Sequence, residues 1–282
     1  TITVDPDAVP AGEMIRCWMP WPKESHARQQ KVSLIRTFPE EHFIAPDSTG
    51  QRSLYFEQAA VIGQPAVFEM ELTYSPAAQY LDLSKAELKP YQTGSDLYTR
   101  YTSEEKPHII FSEKIRKLSD SIVGNETNPV EVVRKIFYWI DENIPWAGAL
   151  EYSTMPNIPE YVIDNRHGDC GMQTLLFMTL ARYNGIPVKW QSGWDMSPGD
   201  VGLHDWCEVY YEGVGWVPLD MSRGRLPSED LRIRDYYMSG IDRWRLIVND
   251  ATGGSFVPAK KFLRSETVDF QRGELEWRGR NL

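Results

Sequence analysis

The chain has 282 residues, with forty acidic against thirty basic side chains and a formal charge of −10. That balance disfavours nucleic-acid binding and adsorption to membrane surfaces, and no basic cluster or stacking platform offsets it. The length suffices for two domains that bury about three quarters of the unfolded surface, and no apolar run approaches the roughly 18 residues of a membrane span.

Three cysteines, Cys17, Cys170 and Cys207, are too few and odd in number for a disulfide framework. The chain opens Thr1-Ile2-Thr3 without a Met. The expectation is an extracytoplasmic protein, periplasmic or lipoprotein-anchored, whose export signal has been removed.

Up to about residue 100 the chain carries short runs of strand character, at Met14 to Met19, Lys31 to Thr37, Arg52 to Glu57 and Ala66 to Tyr74. Pro, Gly and the stretch Asp47-Ser48-Thr49-Gly50 punctuate them, a pattern that favours a β-sandwich domain over residues 1–100. Trp18 and Trp21 could form a carbohydrate- or peptide-binding platform, but packing in or beside the sandwich core is the favoured reading. From Lys106 onward helices are expected, around Ser112 to Ile122 and over Pro129 to Ile144. The second has Asn128 as cap, Pro129 at its first position and Glu131 at its third. Residues 101–282 are therefore read as a second, α+β domain.

The segment Arg166-His167-Gly168-Asp169-Cys170-Gly171 then runs into the apolar stretch Met172 to Tyr183. Asp169 is a good N-cap, and Asn184-Gly185 before Pro187 is a good stop signal, so a buried helix should begin at the cysteine. A thiol at a helix N-terminus beside a cationic neighbour ionises more readily than a free one. About thirty residues on, Leu203-His204-Asp205-Trp206-Cys207-Glu208-Val209-Tyr210-Tyr211 reads as a strand. After Glu212-Gly213-Val214-Gly215 comes another, Trp216 to Asp220. In an antiparallel pair, opposed residue numbers sum to a constant. A four-residue loop would put His204 and Asp220 on opposite faces; a three- or five-residue loop, or a bulge, returns them to one face. With three residues Trp206 opposes Asp220, and His204 becomes the diagonal neighbour of Asp220. Further strands are expected at Trp244 to Val248 and Glu274 to Trp277. Arg223, Arg225, Arg232 and Arg234 form a basic stretch that could hold an acidic group, with a solvated face preferred.

A cysteine at a helix start, a histidine on a strand and an aspartate on the next supply a nucleophile, a base and an orienter of the base, the logic of acyl transfer. Cys170, His204 and Asp220 are the candidate catalytic residues. His167 with Cys170 and His204 with Cys207 also look like two metal-ligand pairs. Positions 204 and 207 point to opposite faces of a strand, however, so neither a metal nor a cofactor is expected.

At these residues the chain resembles the transglutaminase-like superfamily. The matching blocks are His167 to Gly171, Arg182 to Val188, His204 to Tyr210 and Gly215 to Asp220, in family order. The resemblance covers about residues 125–225 and implies a papain-like α+β core with Cys170 as nucleophile, His204 as base and Asp220 as orienter. It also implies an oxyanion hole made from the Cys170 backbone N–H and an indole N–H, for which Trp146 is preferred to Trp139 because it follows the helix instead of lying inside it. The segment from Val9 to Pro22 resembles, more weakly, the β-domain that precedes the core in bacterial relatives. After Asp220, Met221-Ser222-Arg223-Gly224 stands where the family commonly has Pro-Thr. The expected function is a cysteine peptidase or amidase that hydrolyses a peptide, protein or peptidoglycan-like amide. The alternatives are a transglutaminase that forms amine cross-links and a non-catalytic binding protein on the same scaffold. Hydrolysis is preferred because it needs no amine-binding site and the sequence shows none.

Overall fold

Alternating burial makes strands of the first third of the chain. In the computed structural model, which describes residues 1–148 and 150–282, these are β1 (Ile2–Val4), β2 (Met14–Pro20), β3 (Gln29–Phe38), β4 (Phe43–Ile44), β5 (Ser53–Ala59) and β6 (Ala66–Pro76). Next come β7 (Gln79–Tyr80), α1 (Asp96–Thr102), α2 (Glu113–Val123), α3 (Pro129–Asn143), α4 (Ile158–Asn165) and α5 (Cys170–Tyr183). The rest of the chain forms β8 (Val188–Ser197), β9 (Asp200–Tyr211), β10 (Gly215–Leu219), α6 (Leu231–Arg234), α7 (Tyr236–Ser239), β11 (Gly240–Ile241), β12 (Arg245–Asn249), β13 (Glu274–Trp277) and β14 (Arg280–Asn281).

Two units result. The first comprises Thr1–Ala77, Ser192–Leu203 and Arg243–Leu282. Its sheets, ordered β1-β6-β3 and β14-β13-β2-β5-β4, enclose a core of Val4, Ile15, Cys17, Met19, Leu54, Phe56 and Phe68. This is the expected β-sandwich. Trp21 belongs to that core, and the buried Trp18 stacks on Phe256 and donates its indole N–H to the Pro258 carbonyl at 2.8 Å. Both tryptophans pack; neither forms a binding platform.

The second unit comprises Ala78–Gln191 and His204–Asp242. Its central helix is α5, buried at every residue from Gly171 to Arg182 and packed against α2, α3 and α4. The cap signals hold, with Ser112, Asn128 and Asp169 each accepting backbone N–H groups at the starts of α2, α3 and α5. Gly185, at φ 72°, follows the Asn184 cap of α5.

The boundary differs from the sequence reading. The change of composition near residue 100 marks the onset of helices, whereas the first segment of the first unit ends at Ala77 and β7 already pairs with β11 in the second. The C-terminal strands, expected with the core, lie in the first unit: β13 pairs antiparallel with β2, and Leu275 and Trp277 pack on the sandwich core. Such a pairing joins residues more than 250 apart and leaves no local pattern. The hairpin of β8 and β9 is shared, its base up to Gln191 and from His204 lying in the second unit with β10 along β9. Its tip lies in the first, where β12 pairs with β8.

Candidate active site

The geometry of the site follows from the turn between β9 and β10. Gly215 pairs with Tyr211 and Leu219 with Cys207, so Glu212, Gly213 and Val214 form a three-residue loop. This odd loop continues the register to Trp206 opposite Asp220, with His204 diagonal to the aspartate. Gly213 and Gly215 take φ of +88° and +101°, in the left-handed region. Pro218 is tolerated because β10 is an edge strand.

His204 donates its Nε2–H to Asp220 Oδ2 at 2.9 Å, with both side chains buried. The other carboxylate oxygen, Oδ1, accepts the Ser222 hydroxyl at 3.2 Å and the Arg223 backbone N–H at 3.4 Å. Met221-Ser222-Arg223 is thus a helical turn capped by Asp220 itself, which fixes the carboxylate locally. The His204 ring stacks on Trp206 with centroids 6.0 Å apart, and the Trp206 indole donates to Gln191 Oε1 at 2.6 Å. With Nε2 engaged, Nδ1 is the nitrogen that can serve as a base.

Cys170 is the first residue of α5 and partly exposed. Asp169, its N-cap, accepts the Met172 backbone N–H at 3.0 Å and the Tyr152 hydroxyl at 2.6 Å. Burial raises the Asp169 carboxyl above its ordinary value against these bonds. The Cys170 thiol donates to Asp205 Oδ2 at 3.4 Å. Burial first, and then the Asp205 and Asp169 carboxylates, push the thiol well above the ordinary cysteine value. The expectation of a readily ionised thiol is therefore corrected: desolvation and two neighbouring carboxylates outweigh the helix terminus.

Sequence reasoning passed over Asp205 and Tyr152. A carboxylate is unusual in a buried strand position, and Asp205 between His204 and Trp206 was a legible signal. Tyr152 lies in a helical turn, Tyr152–Thr154, that nothing local announces. A Cβ at Gly171 would overlap the Tyr152 hydroxyl and stand 2.7 Å from Asp205 Oδ2, so any larger residue makes one of these two side chains shift.

The other candidates have plain places. The Trp146 backbone bridges Gly168, the Ala147 N–H donates to the Gly168 carbonyl at 3.0 Å, and the Trp146 side chain is 63% exposed. Trp139 carries the Arg166 guanidinium 5.4 Å from its ring centroid. His167 Nδ1 meets the Asn165 carbonyl at 2.9 Å and its ring stands edge-on to Tyr161, so it braces the end of α4. Cys207 is buried, its thiol donates to the Leu219 carbonyl at 3.6 Å, and burial raises it well above its ordinary value. Three of the four arginines of the basic stretch are neutralised locally: Arg225 by Asp141 and Glu142, Arg232 by Asp230 and Arg234 by Asp235.

Residues 116–221 match the family model of the transglutaminase-like superfamily. The crystal structure of a candidate cysteine protease from Cytophaga hutchinsonii superposes with a TM-score of 0.59 at 20% identity, covering 88% of this chain and 78% of that one. An uncharacterized protein of Haemophilus influenzae is 26% identical over 137 residues, 40% of this chain and 37% of its own length. The uncharacterized protein YebA of Bacillus subtilis is 22% identical over 215 residues, 69% of this chain and 28% of its own. The chain thus spans about a third of the length of these curated relatives. The matched segment contains α3, α4, α5, β8, β9 and β10, with Cys170, His204 and Asp220 inside it, and in these residues the chain is similar to the core of the transglutaminase-like superfamily.

Proposed function

We propose that this protein is a cysteine-dependent acyl-transfer enzyme that hydrolyses an amide bond in a peptide or cell-wall-like substrate. The observation that carries the reading is the buried 2.9 Å bond between His204 and Asp220 in the same unit as a cysteine at the N-terminus of a helix. In this reading His204 Nδ1 takes the S–H proton of Cys170 as the sulfur attacks the amide carbonyl. The C–N bond then breaks, the amine leaves with the proton held by His204, and a thioester remains on Cys170. Water, deprotonated by His204, attacks the thioester and releases the acid and the thiol. Asp220 holds the imidazole in the tautomer with Nδ1 open to a proton and stabilises the imidazolium. The backbone N–H of Cys170 and the indole N–H of Trp146 are the proposed donors to the oxyanion; support for the second is the backbone bridge from Trp146 to Gly168, two residues before the nucleophile. Because the thiol is raised, attack is general-base-assisted and does not begin from a standing thiolate.

The test is turnover of a panel of peptide, glutamine-containing and peptidoglycan-like amides, with mass spectrometry of the acyl adduct. Cys170→Ala is expected to abolish turnover and the adduct, and His204→Ala to come close to that. Asp220→Asn keeps a hydrogen-bonding side chain but removes the charge that orients His204, and should cost up to the roughly 10⁴-fold of the equivalent serine-enzyme change. Double variants should fall far short of additive losses. Turnover that survives Cys170→Ala overturns the reading, and an acyl group captured by an added primary amine in preference to water turns hydrolysis into cross-linking.

A further inference from the structure

Asp205 has no part in the triad, yet it is the group that the nucleophile's hydrogen reaches. It lies in β9 between His204 and Trp206 and is 2% exposed. Two contacts hold it against α5: Oδ2 accepts the Cys170 S–H at 3.4 Å, and its backbone carbonyl accepts the Thr174 hydroxyl at 3.5 Å, one turn further along the helix. The absence of a side chain at Gly171 lets the carboxylate approach, since a Cβ there would stand 2.7 Å from the same oxygen. The contact is built, with an acceptor on the strand, a small residue on the helix and a second bond that fixes the spacing.

Two carboxylates act on the thiol. From the start of α5 comes Asp169, whose Oδ1 is taken by the Tyr152 hydroxyl and the Met172 N–H. From β9 comes Asp205, while its neighbour His204 is bonded to Asp220. Both carboxylates oppose a thiolate, and the helix terminus favours it. An anion within hydrogen-bond reach moves a pKa by about 1 to 3 units against a like charge.

We propose that Asp205 is a positioning residue that keeps the Cys170 thiol protonated and pinned to β9 at rest, so that the nucleophile forms only when this contact is broken or its charge is neutralised. The inference rests on the reading of Cys170 as the nucleophile. Once the contact opens, the S–H proton passes to His204 Nδ1 and the electron pair left on sulfur is the attacking pair. The direction in which burial and Asp205 move the thiol agrees with this role.

The experiment needs no substrate. The rate of Cys170 alkylation by iodoacetamide is measured against pH in the wild-type chain and in Asp205→Asn, with peptide mapping to identify the labelled cysteine. Asparagine keeps an oxygen that can accept the S–H and removes the charge. The expected result is a wild-type midpoint above the roughly 8.5 of a free thiol, and in Asp205→Asn a midpoint at least one unit lower, so that labelling near neutrality is about tenfold faster. Because looser packing would also lower the midpoint by letting water reach the thiol, the profiles are compared only when the unfolding midpoint of Asp205→Asn matches that of the wild type. An unchanged or higher midpoint in the folded variant overturns the inference and leaves the nucleophile standing. Should Asp205→Asn fail to fold, the wild-type profile still decides, because a midpoint below that of a free thiol also overturns it. Labelling of Cys17 or Cys207 with Cys170 untouched at every pH overturns the nucleophile reading on which the inference depends.

Discussion

Cys170 sits between opposing fields, and at the residue scale its reactivity is a sum of signs. The helix terminus favours the thiolate, while burial and the two carboxylates disfavour it. Cys17 and Cys207 have no helix terminus, both are fully buried, and burial raises both thiols. Cys170 should therefore be the first cysteine of the folded chain to be alkylated as the pH is raised, read by peptide mapping after iodoacetamide treatment. Gly171→Ala tests the crowding beside it: the new methyl displaces either the Tyr152 hydroxyl or Asp205. Turnover should fall at least tenfold while the unfolding midpoint moves only modestly, because one of the two can shift. At this scale the sequence was legible where local chemistry leaves a mark, as in the helix start at Cys170 and the pairing of His204 with Asp220. It was silent where a contact depends on what lies across space, as for Tyr152 on Asp169.

At the element scale, chain-local signals were read well. The caps at Ser112, Asn128 and Asp169 lie where side-chain chemistry places them. The odd loop between β9 and β10 had to be inferred from the wish to bring His204 and Asp220 together, because the strand pattern alone allowed loops of three, four or five residues. What was missed had weak local signals: α1, the short α4 after Asn157, and β8. The loop also makes a prediction. Gly213 combines φ of +88° with a position where a Cβ would stand 2.9 Å from the Glu87 carbonyl oxygen. Gly213→Ala should destabilise the fold by about 1–3 kcal/mol, measured by denaturant unfolding, and should lower turnover by loosening the register that holds His204 to Asp220.

For the whole molecule, the pH dependence of stability has a contributor remote from the candidate site. Glu266, in the first unit, is pushed up to about 7 by burial and by the neighbouring Asp269, against backbone N–H groups of Arg272 and Gln271 that lower it. A carboxyl raised in the folded state holds a proton that the unfolded chain releases near the ordinary 4.5. Its contribution is therefore fully present below about 4.5 and is lost as pH rises through about 7. Glu266→Gln should flatten this fall, so that the variant gains on the wild type between acid and neutral pH when denaturation midpoints are compared across the range. The division into units was the least legible feature of all, because the pairing of β13 with β2 is written at the two ends of the chain.

That pairing has a consequence for biosynthesis. β13 occupies an interior place in its sheet, between β14 and β2, so the sandwich lacks a strand until Glu274–Trp277 have left the ribosome. Every residue of the second unit, through Asp242, emerges before β13 exists. The order of completion thus inverts the order of appearance: of the two units the one that begins first is completed last, and β2 waits with an open hydrogen-bonding edge while the residues of the other unit are already at hand.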